Sequence, residues 1–240
     1  MLKEPVFDKE EKMKNDYRIN QNVSVGWRET YDGIEIVSCE GATAELTLPD
    51  TIDGRKVVAL GDGAFCANTT LTRVTLPQYA TRIEAESFKD CANLRAVVMP
   101  KGLKTIGYQA FAGCVNLASP SFPPGLEYLA TDAFRGCARI RTVILPGSLR
   151  AIGACAFEGC IKLRFVMIFS RETSIGNRAF ENCRNLHIVR FSADPRTVGD
   201  WAFAGCDKLC DRRLKKLDAR RFRFCAASTT SFAVCDDAFA

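Results

Sequence analysis

Phenylalanine recurs every 23 residues along the middle of the chain, at Phe65, Phe88, Phe111, Phe134, Phe157, Phe180 and Phe203. Other columns keep the same register. Alanine precedes each Phe except at Ser87. An aliphatic residue stands five places before it: Leu60, Ile83, Ile106, Leu129, Ile152, Ile175 and Val198. Three places after it comes Cys91, Cys114, Cys137, Cys160, Cys183 or Cys206, with Asn68 in the first copy. Leu or Ile follows at six places, and a second apolar residue at eleven, from Leu76 to Leu214. Chance does not hold these columns in register over seven copies.

A 23-residue unit is too small to bury its own apolar face, so such units are stable only when stacked, each coil covering its neighbours. Within a unit, "LTRVTLP" (Leu71–Pro77) alternates apolar and polar residues, which predicts a short strand with Val74 and Leu76 inward. Stacked strands give a parallel sheet with rungs about 4.8 Å apart. The "AFxxCxxL" part carries a spacing of three to four, which predicts a short helical turn on the opposite, convex side. The fold expected is an α/β repeat: a right-handed solenoid with a parallel concave sheet over residues 60–214.

The pattern LxxVxLPxxLxxIGxxAFxxC, nearly complete in "IRTVILPGSLRAIGACAFEGC" (Ile140–Cys160), resembles the BspA-type leucine-rich repeat. The likeness runs from about Trp27 to Leu214. It implies a leucine-rich-repeat solenoid whose role is to bind a partner, and it implies a cell-surface or secreted setting. The charged start "MLKEPVFDKEEKMKND" lacks the apolar stretch of a secretory leader and points instead to the cytoplasm. "GIEIVSCEGATAELTLPDTIDGRKVVALGDGAF" resembles the family's first, capping repeat, with Leu48 and Pro49 in strand register and five extra residues before Leu60.

The ends depart from the period. Residues 1–23 hold five basic and five acidic side chains and read as a mobile tail, with a helical turn over 10–17. Residues 24–59 read as a hairpin and cap repeat, with a turn at Asp32-Gly33 and Trp27 covering the open end of the first coil. Pro120 and Arg212 replace the strand valine. Residues 215–240 read as a basic irregular cap or as the beginning of one more coil, since "VCDDAFA" repeats part of the pattern at Val234, Ala238 and Phe239.

The spacing of reactive groups argues against catalysis and against metal. The ladder cysteines are 23 residues apart, far from the close pairs of a zinc site. Outer helical turns would sit about 8–10 Å apart, too far for neighbouring thiols to pair, so reduced structural thiols are expected. His187, the sole histidine, lies in a column bordering the strand, with no converging nucleophile and acid. "GDGAF" and "GYQAF" lack a phosphate-loop signature, and their glycines suit tight turns. No cofactor is implied.

Binding is the reading the sequence favours. If the Val and Leu of LxxVxL point inward, the residues between them point out. Coils four to six then set Ile144, Phe165, Met167 and Ile188 side by side, with Arg141, Arg164 and His187 along the edge and Arg190 beside them. An apolar patch rimmed by basic groups suits a protein partner. The competing site is "DRRLKKLDARRFR" (Asp211–Arg223), where Arg212, Arg213, Lys215, Lys216, Arg220, Arg221 and Arg223 outweigh two acids. That segment carries 7 − 2 = +5, equal to the net charge of the whole chain. It suits an anion or nucleic acid, but basic runs are more often solvated faces, and the favoured reading is a capping helix with Leu214 and Leu217 inward.

Overall fold

Each 23-residue unit makes one coil, and the coils stack so that every column of the sequence becomes a row in space. The structure, a computed structural model, describes residues 14–41 and 43–209. The seven periodic phenylalanines form one continuous stack, with ring centroids 4.9–5.3 Å apart and planes within 9° of parallel. That spacing is close to the 4.7–4.9 Å between strands of a sheet. The coil rise is therefore set by backbone pairing, and the rings follow it. Rows of Leu, Ile, Val, Ala and Cys surround the stack in a single core.

Backbone bonds link the coils along three lines. The first begins with two-residue strands at the aliphatic column, Arg82–Ile83, Thr105–Ile106, Tyr128–Leu129, Ala151–Ile152, Ser174–Ile175 and Thr197–Val198, all parallel. The second consists of the LxxVxL strands. The third runs through the AFxxC segments, and here the helical expectation is corrected: the described residues contain no helix. The residues two before and two after each Phe take positive φ, as at Gln109 (52°) and Gly113 (74°) around Phe111. This turns alternate N–H groups out of the coil. Gln109, Phe111 and Gly113 donate to Thr131, Ala133 and Arg135 of the next coil, while Ala110, Ala112 and Cys114 donate three residues back. A helix would point every donor along its own axis. The stack needs half of them for its neighbour.

The apolar columns explain their own exceptions. The alanine before every Phe but Phe88 is buried under this third line. Ser87 fits the same slot because its hydroxyl lies 2.9 and 2.8 Å from the carbonyl oxygens of Gly61 and Glu84, so its polar group is satisfied. The recurring glycine has a different cause from the tight turn expected. A Cβ on Gly153 would stand 2.3 Å from the Ala130 carbonyl carbon, in the coil before it. Close stacking of coils, not an unusual φ, demands glycine there.

The LxxVxL line is one sheet by expectation and two in the structure. Glu45–Thr47, Arg73–Thr75 and Ala96–Val98 pair in parallel, as do Thr142–Leu145, Phe165–Ile168 and Ile188–Phe191. The coil between them holds Pro120 where the strand valine belongs. Proline has no N–H to give the ladder, so pairing lapses. Ser119 spans the gap. Its Oγ accepts from the Arg141 and Thr142 N–H groups at 3.0 and 2.9 Å, taking the place of the backbone carbonyl used in regular coils. Phe122, at the end of this coil's irregular segment, meets Phe134 edge-on, 5.5 Å centre to centre.

The N-terminal cap is more ordered than expected. β1 (Lys14–Asn20), β2 (Val23–Thr30) and β3 (Gly33–Gly41) form an antiparallel meander. Residues 14–20 are thus strand, not mobile tail or helical turn. The β2–β3 loop is Tyr31-Asp32, with Thr30 paired to Gly33, one residue earlier than the Asp32-Gly33 turn read from sequence. β3 runs parallel to Arg55–Leu60, which in turn pairs with Arg82–Ile83, so the meander prolongs the first line of strands. Val25, Trp27, Ile34 and Ile36 close the core there, as expected of Trp27. The extra residues before Leu60 make a small hairpin, Thr51–Ile52 against Arg55–Leu60, around Asp53-Gly54.

Three stability effects follow. Phe134 touches rings on three sides, so Phe134→Ala is expected to cost about 3–5 kcal/mol in urea unfolding. Ser119→Ala is expected to cost about 1–2 kcal/mol by stranding two N–H groups. Pro120→Val is expected to raise the unfolding midpoint by rejoining the sheet. An unchanged midpoint for Ser119→Ala would show that the hydroxyl bridges nothing of consequence.

Candidate functional site

The strands Thr142–Leu145, Phe165–Ile168 and Ile188–Phe191 bring the predicted patch together in register. Thr142, Phe165 and Ile188 form one row across the strands, and Ile144, Met167 and Arg190 form the next. Val143, Val166 and Val189 alternate with them and face the core. Ile144 is 51% exposed and Ile188 41%, while Phe165 and Met167 are half-buried. Arg141, Arg164 and His187 are exposed one place before the strands, as the register required. Among the described residues none of Arg141, Arg164 and Arg190 forms an ion pair. His187 Nδ1 lies 2.6 Å from the Asn185 carbonyl oxygen and therefore carries the proton and donates to it.

Phe169 was missed. It stands just past its strand, in the column where earlier coils have proline, and is 49% exposed. Its N–H still bonds the Leu145 carbonyl at 3.0 Å, so it remains in register with the coil before. By strand alternation it faces the same way as Phe165 and Met167. Reading the alternation one step further along "RFVMIF" would have found it. The alternative site, Arg212, Arg213, Lys215, Lys216, Arg220, Arg221 and Arg223, lies outside the described residues.

The cysteine column is a structural device. Each thiol donates to the carbonyl oxygen of the Phe one coil earlier: Cys91 to Phe65 at 2.9 Å, Cys114 to Phe88 at 3.0 Å, Cys137 to Phe111 at 3.1 Å, and so on to Cys206 and Phe180 at 3.2 Å. Cys160 and Cys183 do the same, at 3.3 and 3.2 Å. The first copy has no earlier Phe, which accounts for Asn68. Its Oδ1 instead accepts from the Thr70 and Leu71 N–H groups and from the Thr70 hydroxyl. The wide spacing expected between outer turns is wrong, because the stack stays near 5 Å on this side too. The thiols remain free because each is buried and directed at a carbonyl. Burial pushes the thiols of Cys137, Cys160 and Cys183 well above their ordinary range, away from the reactive thiolate.

One cluster elsewhere has metal-ligand chemistry. Ligand atoms of Asp132, Cys155 and Glu158 lie within 4.8 Å of one another. Asp132 is only 7% exposed, and its Oδ1 accepts no hydrogen bond. A guanidinium already holds the position, however: Arg135 stands 3.7 Å from Asp132 and 3.3 Å from Glu158. Burial, then the bond to Glu158, raise the Cys155 thiol to about 11, so it stays protonated. The group is a cluster of two acids, one arginine and a neutral thiol.

The family described as BspA type leucine rich repeat region matches residues 58–187 and 128–235, in six copies. No curated protein matches the chain. Among solved structures, the Treponema pallidum leucine rich repeat protein is 32% identical with a TM-score of 0.78, over 84% of this chain and 97% of that one. A leucine rich cell surface protein from Faecalibacterium prausnitzii is 24% identical with a TM-score of 0.65, over 82% of this chain and 54% of that one. A leucine-rich repeat protein from Bacteroides ovatus is 20% identical with a TM-score of 0.60, over 80% of this chain and 57% of that one. The last two share the fold alone. Proteins of this repeat type are generally non-enzymatic scaffolds for protein interaction.

The thiol ladder makes a chemical prediction. Iodoacetamide applied to the native protein is expected to label exposed Cys66 and to spare all six ladder positions until denaturant is added, as read by peptide mass mapping. Native labelling of Cys137 or Cys160 would contradict the buried bonds. Register, stacked phenylalanines and matched columns together identify the chain as a member of the BspA-type leucine-rich repeat family.

Proposed function

We propose that this chain is a non-catalytic scaffold that captures a protein partner on the exposed face of the Thr142–Leu145, Phe165–Ile168 and Ile188–Phe191 strands. One observation carries the reading: backbone register sets Ile144, Phe165, Met167 and Ile188 in adjacent rows, with their apolar surface partly open and arginines beside them. Parallel pairing fixes these positions without help from a partner, so binding costs little ordering of the face. Large apolar groups and arginine are the side chains that most often dominate a protein interface. Val143, Val166 and Val189 beneath them anchor the strands in the core, which lets the outward residues change without loss of fold.

Phe165→Asp combined with Met167→Asp is expected to leave the far-ultraviolet spectrum and cooperative unfolding in place while lowering partner affinity at least about a hundredfold. Affinity unchanged in this variant would overturn the assignment. Affinity lost instead on neutralising the basic residues between 212 and 223 would move the site to that segment.

A further inference from the structure

We infer that the partner meets this face with an acidic segment that also carries aromatic or aliphatic side chains; this rests on the reading above. Positive charge on this face is left unanswered among the described residues. Elsewhere on the described surface some cations lie beside acids of a neighbouring coil or of the N-terminal cap, while others, Arg95, Lys162 and Arg184 among them, stand without one as these do. Lys104 and Arg150 flank Glu127 at 3.0 and 3.8 Å, Arg82 lies 2.7 Å from Asp32, and Arg55 lies 2.7 Å from Glu29. The column arithmetic that sets Lys104 and Arg150 against Glu127 creates no such pair here. "RTVIL", "RFVMI" and "HIVRF" contain no Asp or Glu, and they stack directly on one another. Arg141 and Arg164 occupy the same column in adjacent coils, one strand spacing apart. Arg190 closes the other row, beside Met167.

Like charges held one rung apart repel, and no acid among the described residues pairs with them. An incoming carboxylate relieves that repulsion and gains charge-assisted bonds from the guanidinium forks. Between the arginines lie Phe165, Met167 and Ile188, which give a carboxylate nothing and an apolar side chain a place to settle. The occupant must therefore alternate the two chemistries. A polypeptide segment rich in Asp and Glu, with Phe, Leu or Ile among them, does so. A nucleic acid offers phosphates in plenty, but its backbone is better matched by an unbroken basic track.

The experiment selects a random dodecapeptide display library on the full-length protein, then measures binding of an enriched synthetic peptide by fluorescence anisotropy. Enriched sequences are expected to combine Asp or Glu with aromatic or aliphatic residues. Binding is expected to fall at least about tenfold in Arg141→Glu with Arg164→Glu, and to weaken as salt rises. The Phe165→Asp, Met167→Asp variant is expected to lose it as well. Thermal unfolding of each variant confirms that it is folded. Enriched peptides without acidic residues, lost in the Phe165 variant but indifferent to charge reversal, would overturn the charge inference and leave the face standing. Peptides that still bind the Phe165 variant, or a selection that yields none, would overturn the face itself. A single-stranded oligonucleotide that displaces the peptide and is lost on charge reversal would replace the acidic polypeptide with a nucleic acid.

Discussion

Coil-to-coil backbone pairing is the constraint on which the molecule rests. Regular coils are bonded to the next along three lines, two of short strands and one through the AFxxC turns, and only the LxxVxL line lapses, at Pro120. These bonds fix a rise near 5 Å, and every column must then supply a side chain that tolerates its own copy that close above and below. Phenylalanine does so by parallel stacking with its neighbours. Glycine does so at Gly153, where the chain of the coil before lies against it. Cysteine does so by giving its single proton to a carbonyl one coil away. The period is visible in the sequence because the slots are the same in every coil.

The same constraint governs the departures. Pro120 removes a donor from the LxxVxL line and splits it, yet the core continues beneath, since Leu117 and Leu126 stay buried and the Phe stack is unbroken. Ser119 restores two bonds across the split. The break lies beside the three strands that carry the candidate binding face, so that face belongs to a short sheet of its own. The exposed positions of that sheet are not held to the core's volume and are free to vary.

Much of this was legible from residues alone. The Phe, Ala, Cys and Leu columns announce a stack, and the strand alternation alone places Ile144, Phe165, Met167 and Ile188 outward. The AFxxC turns were misread as helical because a spacing of three to four is shared by helices and by turns with alternating φ. Which one forms depends on whether the donors bond within the coil or to the next. Residues 14–20 were misread because their charge suggests a solvated tail, whereas β1 gains its order from pairing with β2. Phe169 was passed over because its column holds proline elsewhere.

The sequence by itself determined the coil length, the identity of the core columns and the outward residues of each strand, since these depend only on periodicity and side-chain chemistry. The tertiary structure alone decided that the turns are not helices, that Pro120 divides one sheet into two, that each thiol finds a carbonyl, and which cations find an acid. Those outcomes depend on what lies 5 Å away in the next coil, about 23 residues distant in the chain, and local sequence does not specify where that neighbour's donors and acceptors point.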